Sequence, residues 1–265
     1  MALSITELNA VKPFKTQWKI QVKIVHSWIQ YTQYSGETLE MVLADTTGTL
    51  IHATIKKQQV NKFQRLITTG EWRTVENFTV AKSTGKYRPT RLPFKMTLMN
   101  TTAISRIPSI SEEFYFDFAN FPDILNVNGL NENILIDVLG QVVSLGEMTT
   151  HDVNNKATKR FEFELRDTKF VIYLLYYFFQ TTVYFLIQNL SFIYYSDERL
   201  TCTLWGRFAE RMWDACQNGG NERVICLIRL AKIGSFKGIL FWIIYIWMLN
   251  MFITLLDITN ILQIQ

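Results

Sequence analysis

The chain has 265 residues, 27 Lys+Arg against 23 Asp+Glu, and is 48% hydrophobic and 14% aromatic. Such a length holds one large domain or two small ones. A 19% charged share with 5 prolines excludes a disordered or fibrous protein.

The first 105 residues read as short strands. Trp18 to Val25 alternates apolar and polar residues, the period of a half-buried strand. Leu39 to Leu43 is a second strand, Asp45 to Gly48 a turn, and Thr49 to Ile55 a third strand. Val60, Phe63, Leu66 and Ile67 fall at helical spacing, so Gln58 to Thr68 is a short amphipathic helix. Glu71 to Val80 and Tyr87 to Met99 supply two more strands. Three strands, a helix and two strands is the order of an OB-fold barrel. Arg106 to Gly129, with its aromatic-acidic run Phe114 to Phe118, reads as a connector over 106–130.

A second unit follows over 131–238. Ile134 to Leu145 and Phe161 to Leu165 are strand-like. Arg199 to Trp205 is a strand, Phe208 to Cys216 carries a helical stripe, and Glu222 to Leu230 is a further strand. The two units repeat each other. Leu39 to Asp45 matches Phe161 to Asp167, and Thr49 to Ile55 is set against Arg199 to Trp205. The predicted fold class is all-β, two tandem OB-fold barrels. An apolar insert over 170–196 interrupts the second, and a tail over 239–265 stands where its last strand belongs.

These two apolar blocks hold 16 of the 37 aromatic residues. Phe170 to Ser196 has no charged residue, and Ile239 to Gln265 has only Asp257. On hydropathy each is long enough for a transmembrane helix. Neither contains Ala, Gly or Pro, which membrane helices use freely. Both are rich in residues with A/T-rich codons, and the first splits a repeat that is complete without it. Translated non-coding sequence is therefore weighed above two helical membrane spans. Either origin predicts an incomplete, poorly soluble second barrel.

Charge is uneven as well. Residues 1–105 carry 14 basic and 6 acidic side chains; residues 106–265 carry 13 and 17. A basic half suits a polyanion partner, although a solvated basic face gives the same count. Cys202, Cys216 and Cys226 form no CxxC pair, and His26, His52 and His151 do not cluster, so neither disulfides nor a metal site is expected. No catalytic motif and no cofactor loop occurs. Met1 to Asn9 lacks the apolar run of a signal peptide.

The chain resembles the plant proteins related to the large subunit of replication protein A, the single-stranded DNA-binding factor. The resemblance rests on Trp18-x-Ile-x-Val, Asp45-x-x-Gly48, Phe63, Asn77-Phe78 and Tyr87. In the second unit it rests on Asp137 to Val143, Leu165-x-Asp167 and Leu200 to Gly206. It covers about residues 3–238 apart from the insert. It implies a nuclear, non-enzymatic protein acting in DNA replication, repair or recombination, with other replication protein A subunits as partners. It also implies two stacking aromatics per barrel. These fall on Trp205 and Phe236 in the second unit, and on Ile55 and Tyr87 in the first, where Ile55 departs from the pattern. Lys23, Lys56, Arg88, Arg91 and Lys95 are the candidate phosphate contacts. Trp18 and Phe63 are assigned to the core, and Asp45 and Asp167 to turns. Two other functions are carried forward: a membrane-anchored OB-fold protein, and a protein-interaction module without strong DNA binding.

Overall fold

The computed structural model describes residues 3–32, 36–126, 130–167, 198–218 and 224–234, and the backbone of 244–245 and 253–257. The insert 170–196 and Phe236 lie outside the described residues. Contacts divide the chain into two units, each with its own apolar core.

In the first unit, β1 (Lys19–Thr32), β2 (Gly36–Ala44), β3 (Leu50–Ile55), β4 (Trp72–Lys82) and β5 (Phe94–Arg106) close a barrel in the order β1-β2-β3-β5-β4. The helix α1 (Lys57–Phe63) follows β3. Alternation drives this arrangement. Ile20, Val22 and Ile24, Leu39, Met41 and Leu43, and Ile51, Ala53 and Ile55 all point into one core. At the β2–β3 turn Gly48 adopts φ +80°. The Asp45 carboxylate accepts bonds from the Thr47 and Thr49 amides at 3.0 Å each and from the Leu8 amide at 2.7 Å. Asp45 is a turn residue for that reason.

The fifth strand begins at Phe94, seven residues later than the sequence pattern suggests. Pro89 and Pro93 lack the amide hydrogens a ladder needs. Residues 83–93 are therefore a loop, and it carries Tyr87.

The predicted connector is shared between the units: Met1–Asp117 belongs to the first, and Phe118–Glu132 to the second. Trp72 Nε1 donates to the Ser111 carbonyl at 3.0 Å, and the Trp72 and Tyr115 rings meet edge-on at 6.3 Å. The aromatic-acidic run thus packs on the first unit.

The second unit contains α2 (Phe121–Leu125), β6 (Ile136–Val153), β7 (Lys156–Asp167), β8 (Arg199–Trp205), α3 (Arg207–Asn218) and β9 (Val224–Ala231). Asn154 and Asn155, both at positive φ, form the two-residue β6–β7 turn. Phe208, Ala209 and Met212 bury the inner stripe of α3. The Asp137 carboxylate is buried with Arg229 at 3.3 Å and also accepts the Leu230 amide at 3.0 Å.

The tail differs from the expected helix and missing strand. β10 (Ile244–Tyr245) pairs parallel with β8, and β11 (Ile253–Asp257) pairs antiparallel with β9. These are the two pairings that β5 makes with β3 and β4 in the first unit. A sequence rich in Ile and in aromatic residues suits strands, and open sheet edges offer unpaired backbone groups to it. The sheet order is β10-β8-β7-β6-β9-β11. Among the described residues, no helix is long and apolar enough to cross a membrane.

Gly140 on β6 lies against β7. A Cβ there would stand 2.9 Å from Leu165 Cβ, 3.0 Å from the Arg166 carbonyl oxygen and 3.1 Å from Phe121 Cζ. Gly140→Ala is expected to destabilise the second unit by about 1–3 kcal/mol, the usual cost of overpacking. Thermal unfolding checks this, and an unchanged midpoint would contradict the packing described.

Candidate nucleic-acid interface

OB folds bind oligonucleotides on the outer face of their second and third strands and on the neighbouring loops. The ladder register decides which side chains reach that face. In the first unit Glu40 pairs with Thr54 and Val42 with His52, all outward, because the residues between them fill the core.

Glu40 is the centre of this face. Its carboxylate is bonded to His52 Nε2 at 2.7 Å and Lys95 Nζ at 3.1 Å, and it accepts the hydroxyls of Thr54 at 2.5 Å and Thr38 at 2.7 Å. Burial alone would raise the Glu40 pKa. The His52 hydrogen bond, the Lys95 charge and the Thr54 hydroxyl outweigh burial and hold it at about 2. Burial pushes the His52 pKa down against the pull of Glu40, with Lys95 adding to the downward shift. Trp28 stacks between His26 at 5.5 Å and His52 at 5.9 Å.

The predicted phosphate contacts divide. Lys23 is buried, and its ammonium donates to the carbonyls of Ser111 at 3.2 Å and Glu113 at 2.7 Å. Burial lowers its pKa, while Glu112 and Glu113 pull it upward. Lys23 is therefore corrected to a structural residue that anchors the aromatic-acidic run. Arg91 forms a bidentate pair with Asp117, Nε to Oδ2 at 2.8 Å and Nη2 to Oδ1 at 2.9 Å. That hydrogen-bonded pairing raises its pKa. Lys95 holds Glu40. Lys56 is exposed at the start of α1. Arg88 is half-buried, and its backbone bonds Asn133 and Leu135 at 2.7 and 2.9 Å. Tyr87 is half-buried in the β4–β5 loop, with Lys86 Nζ 5.5 Å from its ring centre. Ile55 is fully buried, as are Phe63 and nearly so Trp18.

In the second unit Phe161, Phe163 and Leu165 of β7 and Leu200, Cys202 and Leu204 of β8 point inward. Arg160, Glu162 and Glu164 face outward, opposite Trp205, Thr203 and Thr201. Trp205 therefore lies on the outer face, half-buried. The Arg160 guanidinium sits 5.7 Å from its ring centre, and the His151 ring meets it edge-on at 5.6 Å. Arg160 also pairs with Glu162, which accepts the Thr203 hydroxyl at 3.3 Å. Arg199 pairs with Glu164 at 3.4 Å. Sequence reasoning passed over Arg160, Glu162 and His151. Part of the signal was present: Arg160, Glu162, Glu164 and Arg166 occupy every second position and so share the face opposite the core, while nothing local marks His151 as their neighbour.

The ladders also shift the repeat by one residue. Leu43 pairs with Ile51, and Leu165 with Leu200. Counting on, Ile55 corresponds to Leu204 and Lys56 to Trp205. Glu40 and Glu162 then occupy the same rung, each accepting a threonine hydroxyl from the next strand. The first unit thus presents a cation where the second presents an indole.

Burial raises the Cys202 and Cys226 thiols, and brings Cys216 to about 11. Among the described residues no cluster of His, Cys, Asp and Glu is placed to hold a metal ion.

A family profile for a domain of unknown function, DUF223, matches residues 9–127. The chain is similar in fold to a chain of a replication protein A heterotrimer bound to ssDNA, with 18% identity and a TM-score of 0.53. That match covers 97% of this chain and 53% of the other, so this chain spans about half the length of its structural relative. DNA-binding domain A of Saccharomyces cerevisiae replication protein A matches at 18% identity and TM-score 0.35, covering 42% of this chain and 99% of the domain. An OB domain from Thermoplasma acidophilum matches at 12% identity and TM-score 0.31, covering 40% and 90%.

The acid response of the first unit follows from Glu40 and His52. Both folded pKa values lie below their ordinary values of 4.5 and 6.5. The stability they contribute is present above those values and is lost as pH falls, first through the histidine range and then from 4.5 toward 2. Urea unfolding from pH 7 to 3 is expected to show a falling midpoint. Glu40→Gln should flatten the lower limb. Identical limbs in both proteins would contradict the network.

Proposed function

We propose that this protein binds single-stranded DNA on the outer faces of its two OB units, as a replication protein A-like factor in DNA replication, repair or recombination. The observation that carries this is Trp205, outward on β8 with Arg160 beside it on β7. Base stacking on such an aromatic contributes roughly 1–3 kcal/mol per base and tolerates any sequence. Tyr87 in the β4–β5 loop is the stacking candidate of the first unit. Lys56, Arg88, Arg91 and Lys95 supply positive charge near phosphates. For Arg91 and Lys95 that role requires exchange with Asp117 and Glu40. Phe236 remains a stacking candidate by resemblance. The reaction class is binding without catalysis, and the nucleus is the proposed location.

A second function applies to the first unit. There the outer face is centred on a buried carboxylate paired with Lys95, and Lys56 stands where the second unit has Trp205. Such a face supports contact with a protein partner, and the other replication protein A subunits are the class proposed.

Fluorescence anisotropy with a labelled oligothymidine strand tests the DNA function. Affinity should fall as salt rises, by a slope of about 0.7 per phosphate neutralised on a single strand. Absence of binding at low salt, or binding insensitive to salt, would overturn it.

A further inference from the structure

Resting on the single-strand function above, we infer that Arg160 and Glu162 are positioning residues that hold the Trp205 indole as a base-stacking platform. Three neighbouring strands build it. On β7, Arg160 stands directly opposite Trp205 of β8 and places its guanidinium 5.7 Å from the ring centre. On β6, Thr149 stands opposite Arg160, and His151, two residues on, meets the ring edge at 5.6 Å. The His151 ring is itself held by the Thr149 hydroxyl at 2.9 Å.

The guanidinium is restrained in turn. Glu162, two residues along the same outer face, pairs with it and accepts the Thr203 hydroxyl at 3.3 Å. A chain of contacts therefore runs from Thr203 through Glu162 and Arg160 to Trp205. A planar guanidinium stacks on an aromatic ring, which a compact ammonium does less well. Arg160 and His151 restrain the indole, and a nucleobase is the planar, apolar-faced ligand that stacks on such a ring. In the first unit the equivalent glutamate, Glu40, binds His52 and Lys95 instead, and Lys56 stands at the tryptophan position. The same rung thus serves a different group in each unit.

A glutamate beside a nucleic-acid site normally repels phosphate. Removing its charge should then tighten binding. The positioning role predicts the opposite, and this contrast is the test. Oligothymidine affinity is measured by anisotropy on the full chain at two salt concentrations, with thermal unfolding as a check on folding. Trp205→Ala should weaken binding about tenfold. Glu162→Gln should weaken it about threefold, the size of an exposed cation–π contact, without changing the salt slope. Arg160→Lys should lose a similar factor although it keeps the charge. In the Trp205→Ala background, Glu162→Gln should have no further effect. The Glu162 side chain is 41% exposed, so the isosteric amide should leave the fold intact. If Trp205→Ala weakens binding while Glu162→Gln tightens it or leaves it unchanged, the positioning role is wrong and DNA binding stands. If Trp205→Ala binds as well as the parent protein, the stacking role of this face falls, and the positioning role with it.

Discussion

One antiparallel rung organises both candidate faces. Glu40 lies opposite Thr54, and Glu162 opposite Thr203. Strand periodicity is two, so fixing this rung outward fixes Ile55 and Leu204 inward. It also sends Trp205 to the surface beside Arg160. A slip of one residue would bury the charges and expose the phenylalanines of β7. The cores of Phe161, Phe163 and Leu165, and of Leu39, Met41 and Leu43, oppose such a slip.

Charge count and usable charge are different quantities. The first 105 residues carry 14 basic side chains, yet the structure commits several of them. Lys23 anchors the segment through Ser111 and Glu113, Arg91 pairs with Asp117, and Lys95 with Glu40. The acidic-aromatic stretch after β5 therefore answers part of the basic excess within its own unit. Lys56 is exposed, whereas any anion would have to compete with Asp117 for Arg91 and with Glu40 for Lys95. Buried charge is retained only with partners at hand, which is why Lys23 has two carbonyls and two aromatic rings around it.

The barrel order of the first unit was legible because alternation, a turn signal and a helical stripe are local features. Trp18 and Phe63 lie in the core and Asp45 in the turn, as local pattern and turn chemistry predict, whereas Ile55, which the resemblance sets at a stacking position, is buried in the barrel. Three things were not local. The fifth strand starts after Pro93, since two prolines outweigh an otherwise strand-like run. The repeat equivalence was one residue out, because hairpin loops of different length hide the register, which only the ladder reveals. The strands of the apolar tail were hidden by hydropathy, which does not distinguish a long apolar helix from short apolar strands. At the candidate face, Tyr87 and Trp205 were visible as aromatics. Arg160 and Glu162 were overlooked because a charged residue on a strand carries no mark of which aromatic it will stand beside.

A direct measurement of the central claim is ultraviolet crosslinking of oligothymidine to the full chain, with the modified residues mapped by mass spectrometry. Stacking on the outer faces predicts adducts at Trp205, with Tyr87 as the site in the first unit, and loss of both as salt rises. Adducts confined to residues away from the β7–β8 face and the β4–β5 loop, or none at all, would contradict it.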